Sequence, residues 1–329
     1  MGRAAAAAIV GSMPPWLRYV LRRVATSAAM LLVLSLAIFA GIQKLVPGNE
    51  ADILAGSLGA TPKAVMAIEA KLGLTRPLFV QYFAWLGNAL QGNFGVSPIS
   101  GLKISAVITQ QAPVSLELAL LGLAIATLIG VPIGVIAAIY SGKGREVALR
   151  VLFLVIYALP FFVIGAGLLL MAARYFPVLY AGAYVPISSS PIENLRVMVL
   201  PALSVGLPVT GLMMQMTRGS MLDVLSQPHI VTARANGLRL RRIYFIYALK
   251  AAALPILTLE GFMLGILIGG VIVVEQVFSL PGIGSGMLNS IQNRDFTELE
   301  AQMLVVAGVF VIGNLVVDLV APIVDRRVH

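Results

Sequence analysis

The sequence predicts an all-α, polytopic membrane protein with six membrane-crossing helices, on three observations. Apolar residues make up 59% of the chain and charged residues 11%, where a soluble domain carries about 25% charged residues. Several apolar runs reach the ~20 residues that cross a ~30 Å hydrocarbon core. The basic residues, which give a net charge of +9, gather in short connections between those runs, as a topology signal does.

Residues 1–23 read as a tail on the cytoplasmic side that ends in Arg22 and Arg23. The first span, 24–45, is longer than the ~7–15 residue core of a cleaved signal and lacks an A-x-A site, so it is expected to be retained. Residues 46–113 form a segment on the other side. Thr61-Pro62 supplies an N-cap and a proline at the first helical position, and Gly73 is a natural stop. A second helix is expected from Pro77 to Leu90, with Phe79, Tyr82, Phe83, Leu86 and Leu90 at helical spacing. This pair either lies on the membrane surface or caps the bundle, or it docks a receptor.

Residues 114–320 hold spans two to six, at Val114–Tyr140, Ala148–Tyr175, Val197–Met216, Ile256–Val277 and Met303–Val320, and 321–329 is a second cytoplasmic tail. Pro132 and Pro160 are expected to kink their spans. Gly261, Gly265 and Gly269 share one helix face, as do Gly130 and Gly134, where backbones can approach closely. Lysine and arginine counts place both termini in the cytoplasm: Arg18, Arg22, Arg23, Lys143, Arg145, Arg150 and the cluster from Arg218 to Lys250 fall on one side with Arg326 and Arg327.

Several function classes are excluded or unsupported. The charge lacks an aromatic-basic stacking platform, so nucleic acid is not an expected partner; the lipid bilayer is. There is no cysteine, hence no disulfide, thiolate metal site or cysteine nucleophile. His229 and His329 stand apart, and no metal site is expected. Ser141-Gly142-Lys143-Gly144 lacks the upstream glycine and the following Ser/Thr of a phosphate-binding loop. With no catalytic constellation, the chain is not read as an enzyme, and any energy for transport comes from a partner or an ion gradient. A gradient-driven carrier predicts internal repeats and discontinuous midplane helices, and no repeat between the halves is visible.

The connection 217–255 is long for a loop between two spans. Ile230 to Asn236 can form a short helix ended by Gly237 in a left-handed conformation, and a second helix is expected from Arg239 towards Pro255. Two short helices at a membrane surface make either a rigid knob for a cytoplasmic partner or a basic segment lying on anionic lipid.

The same segment resembles the "EAA" loop in membrane subunits of bacterial ABC importers of the peptide/nickel permease family, whose pattern is Y-V-R-T-A-R-A-K-G-L. Thr232, Ala233, Arg234, Ala235, Gly237 and Leu238 match it, while His229, Val231 and Asn236 depart from it. Further matches follow in family order, among them Leu45-Val46-Pro47-Gly48, Gly92-Asn93-Phe94-Gly95, Leu116-Glu117-Leu118, Gly269 to Glu275, Phe278 to Gly284 and Arg294-Asp295-Phe296. The resemblance covers residues 18–328 and points to the "B" type of subunit. It implies a type I importer permease in a bacterial cytoplasmic membrane that carries dipeptides or oligopeptides, or another solute such as a nickel chelate. It also implies a second homologous permease subunit, two cytoplasmic ABC ATPase subunits or domains that bind ATP and magnesium, and an extracytoplasmic substrate-binding protein. No cofactor is expected in this chain itself.

Intramembrane acids raise functional hypotheses by default. Glu117 and Asp318 lie near span ends and are read as structural anchors. Glu275, just before the turn Pro281-Gly282-Ile283-Gly284, is a candidate with Pro281, Gly282 and Gly284 for a gate or receptor contact. Glu260 lies inside the fifth span, where it either faces the pathway and attracts a cationic group or pairs with Arg218 or Lys250.

Overall fold

The computed structural model describes residues 14–45, 75–176, 179 and 182–324. The helix expected after Thr61-Pro62, the Pro47-Gly48 match, Arg326, Arg327 and the outermost residues of both tails lie outside them. Among the described residues the protein is helical, with no strand beyond one isolated bridge between Val96 and Lys103.

The described residues form ten helices in order: α1 Pro15–Leu45, α2 Leu78–Leu90, α3 Ile104–Ile139, α4 Gly144–Ala158, α5 Phe161–Tyr175, α6 Pro191–Leu225, α7 Pro228–Ala235, α8 Leu240–Val277, α9 Ile283–Gln292 and α10 Phe296–Val324. Five of them (α1, α3, α6, α8 and α10) are long and apolar enough to cross a membrane, and the bent pair α4–α5 counts as a sixth if it is one span. The protein is a multi-pass membrane protein. Several helices run beyond the expected spans. α1 starts at Pro15, α3 at Ile104 and α6 at Pro191, and prolines at first helical positions lack the amide that would have no partner there.

Two expectations need correction. The third span is not one kinked helix from Ala148 to Tyr175. α4 and α5 meet at 99°, and 15 residues each give only about 22 Å at 1.5 Å per residue. Pro160 is the cause: its ring drives the preceding residue out of the helical region, and Leu159 has ψ 131° while Pro160 itself has ψ 145°. Pro255, by contrast, does not end a helix. It lies inside α8, which runs on to Val277. The lower end of α8 winds as a π-helix over Ile243–Ala248.

The chain divides into two compact units, one of residues 1–27, 117–278 and 312–329, the other of 28–116 and 279–311. In the first, α6 is the central element, with Met198, Val205, Val209, Met213, Met214 and Met221 fully or almost fully buried. Glycines on α6 and on its neighbours allow close approach. A Cβ on Gly134 would stand 2.6 Å from Thr217 Cβ, and one on Gly211 would stand 2.5 Å from the Phe153 carbonyl. The expected stripe of α8 is only partly a packing face: Gly261 abuts Val317, whereas Gly269 meets nothing and it is Gly270 that takes the Phe161 ring.

In the second unit Ile104, Ile108 and Ala301 pack with Phe94, Ala112 and Val305. Beside them Gln302 is fully buried. Its amide donates to Gln111 Oε1 at 3.0 Å and to Glu298 Oε1 at 2.9 Å, and it accepts from Ser290 Oγ at 3.2 Å. Asp295 caps α10 by accepting from the Glu298 amide at 3.1 Å, and its other oxygen accepts from Ser97 Oγ.

Candidate functional site

α6 ends at Leu225, Ser226 and Gln227 make a turn, and α7 starts with Pro228 as its first residue. The end of α7 is fixed by its backbone. Gly237 has φ +74°, its amide donates to Arg234 O at 3.0 Å, and the Leu238 amide reaches back to Ala233 O at 3.2 Å. That pair of bonds is the Schellman arrangement, which satisfies carbonyls left over at a helix end. Arg239 then precedes α8.

The short helix is pinned from one side. Ile230 is fully buried among Val135, Met221, Val224, Ile243 and Ala252, with Leu238 packed against the same cluster. Thr232, Arg234, Ala235, Asn236 and Gly237 are exposed and Ala233 is half-buried. Val231 is 59% exposed, so an apolar group joins the outward face. From Val224 to Leu259 the chain has no Asp or Glu, while Arg234, Arg239, Arg241, Arg242 and Lys250 are all exposed. The result is a rigid, cationic, partly apolar projection with a buried root.

Just inside that root stands a pair the sequence did not disclose. Glu146, 3% exposed at the start of α4, lies 2.9 Å from Arg218 Nε of α6, and Arg150 Nε stands at 3.9 Å. Neither Glu146 Oε1 nor Arg218 Nε makes an aligned hydrogen bond, so the attraction is that of charges. Arg218 Nη2 also donates to Ser141 Oγ at 3.4 Å. The engagement of Arg218 by Glu146 answers one of the options for Glu260. That carboxylate instead accepts from Thr127 Oγ1 at 3.0 Å, on a face of α8 that is half-buried.

Residues 130–329 match the family described as binding-protein-dependent transport system inner membrane component, and residues 16–118 match the N-terminal part of such membrane components. The chain belongs to this family. A probable peptide ABC transporter permease of Sinorhizobium fredii is 34% identical over 94% of this chain and 99% of its own length. A putative peptide permease of Brucella ovis is 36% identical over 95% and 99%, and the dipeptide transport system permease of Escherichia coli is 29% identical over 95% and 99%.

In this transport-system component the anchoring acids behave as expected. Asp318 pairs with Arg23 at 3.1 Å and accepts through its backbone carbonyl from Tyr19 Oη at 2.9 Å. Glu117 accepts from Tyr184 Oη at 2.9 Å. Burial, followed by that bond and the charge of Glu117, pushes the Tyr184 phenol up to about 12. The candidate gate residues are divided between the two units. Glu275 is fully buried and belongs to the first unit. Pro281, Gly282 and Gly284 fall in the second unit, where Pro281 is exposed and both glycines are buried. Their turn is held by the Ile283 amide donating to Ser115 Oγ at 2.8 Å and by Ser285 Oγ donating to Leu280 O at 2.8 Å. Among the described residues no group of three His, Cys, Asp or Glu side chains could hold a metal ion.

Proposed function

We propose that this chain is the permease subunit of an ATP-driven importer for peptides and forms half of a pathway completed by a second, homologous permease subunit. Two ATPase subunits bind ATP and magnesium on the cytoplasmic side and push on the projection formed by Thr232, Ala233, Arg234, Ala235, Gly237 and Leu238. A binding protein delivers substrate at the opposite face, near the Pro281–Gly284 turn. The chain itself performs no catalysis.

The observation that carries this reading is the α7 projection, exposed at its tip, capped by Gly237 and rooted through Ile230 against α6 and α8. A displacement of such a rigid unit tilts the long helices on either side, which is the physical content of a push. A basic strip lying on lipid has no use for a stiff cap. The peptide class rests on the named relatives. The orientation rests on the basic residues, and the Arg23–Asp318 pair supports it by holding the start of α1 beside the last turns of α10. Glu260, held by Thr127, is the charge assigned to the pathway, where it meets a substrate ammonium.

Co-purification with the ATPase subunits tests the reading. Replacing residues 229–240 by a flexible linker of equal length abolishes their capture while the chain still inserts. Full capture by that variant defeats the proposal. Glu260→Gln is expected to lower uptake of cationic substrates more than neutral ones, and equal uptake of both removes the pathway role alone.

A further inference from the structure

α2 has two faces. Val80, Gln81, Ala84, Trp85 and Asn88 line, with Gln43 and Arg76, a cavity of about 340 Å³. Phe79, Phe83 and Leu90 occupy the other face, within about 40° of one another at 3.6 residues per turn. They are 66%, 66% and 82% exposed. No residue of α2 is charged.

The level at which this helix lies can be counted along α1. Tyr82, buried between the two faces, shares a 2.9 Å hydrogen bond with Ser35 Oγ, and its ring stands 5.6 Å from that of Phe39. Among the described residues, the stretch of α1 long and apolar enough to cross a membrane ends at Gln43. Phe39 and Ser35 are therefore about 6 Å and 12 Å inside that end at 1.5 Å per residue. At this level α1 exposes Leu36, and Val33 and Leu32 are exposed about 15 Å inside the end, as side chains of a membrane span that face lipid do. An amphipathic helix lying in a bilayer interface buries its apolar face ~5–10 Å into the headgroup/acyl boundary, a depth that the Phe39 contact of α2 falls within and the Ser35 contact slightly exceeds.

We infer that α2 is an interfacial helix whose Phe79, Phe83 and Leu90 face is inserted among the acyl chains of the leaflet at the Gln43 end of α1, so that the occupant of this surface is phospholipid. Under the orientation proposed above this is the outer leaflet, and only that name rests on the transport reading. The cavity is then held at headgroup level.

The absence of cysteine makes single labels clean. Phe79→Cys, Phe83→Cys and Leu90→Cys, with Ala84→Cys and Asn88→Cys on the cavity face, each carry one nitroxide in the full chain. The chain is reconstituted in vesicles of phosphatidylcholine with a minority of phosphatidylglycerol. Power saturation compares collisions with oxygen, which partitions into acyl chains, and with an aqueous nickel chelate. The inference expects oxygen collisions to exceed nickel collisions several-fold at 79, 83 and 90, and the reverse at 84 and 88. Nickel-dominated collisions at 79, 83 and 90 overturn it, and so does shielding from both reagents, which means that protein covers the face. Should the label at 83 impair insertion, position 90, the most exposed, answers the same question. The result is independent of ATPase capture, so failure here leaves the transport reading standing, and the converse holds.

Discussion

Glu146 is nearly inaccessible and lies against the Arg218 guanidinium, and removing either partner strands the other. Glu146→Gln is expected to cost about 2–3 kcal/mol, below the ~3–5 kcal/mol of a fully buried pair because Arg218 retains some solvent. The double variant Glu146→Gln/Arg218→Gln recovers most of that loss, and thermal unfolding midpoints in detergent measure both. Tyr184 gives a pH prediction of definite sign. Its pKa rises from 10.0 to about 12 in the folded protein, so the folded state holds the proton more tightly. The contribution is whole below pH 10 and is lost as pH climbs towards 12. Unfolding midpoints measured across that window fall more steeply for the native chain than for Tyr184→Phe; equal slopes refute the assignment. At this scale the sequence was legible only locally. Arg150 lies one helical turn from Glu146 and reads as its partner, but the nearer cation, Arg218, is on a helix that nothing in the spacing brings there. The partner of Glu260 was hidden for the same reason: its hydrogen-bond donor, Thr127, is on α3.

Elements whose limits are set by their own residues were legible, and those set by packing were not. The stop at Gly237 belongs to the first kind, because the left-handed backbone there excludes other residues by local sterics. A side chain at Gly237 meets nothing within 4 Å, so Gly237→Ala costs only the backbone strain, about 1 kcal/mol. The expected outcome is a frayed α7, with unchanged insertion but weakened ATPase capture, and with Gly237→Asn milder than alanine. A capture assay across the three chains checks the order. α2 also appeared where its phenylalanines and tyrosine pointed. Pro160 and Pro255 show the limit. Both prolines perturb a helix, yet one ends in a 99° corner while the other is absorbed within α8, and neighbours decide between those outcomes.

For the molecule as a whole, the arrangement across the bilayer is the quantity to test. In the cysteine-free background, a cysteine at Arg234 and one at Asn88 are expected to react with a membrane-impermeant maleimide from opposite sides of right-side-out vesicles. Only the Asn88 site reacts before the vesicles are opened. Labelling of both from one side contradicts the orientation. The family was readable because its matches run the length of the chain, whereas the two-unit division depends on long-range packing that no local pattern records. The π-helix at Ile243–Ala248 carries a last consequence. Its wide turn presents Phe245, Ile246 and Tyr247 outward together, directly after Arg239, Arg241 and Arg242. Guanidinium groups seek phosphates and aromatic rings seek the carbonyl layer just below them, so this stretch is expected to keep its level when the bilayer thickness changes, and α7, which precedes it directly, to keep that level with it.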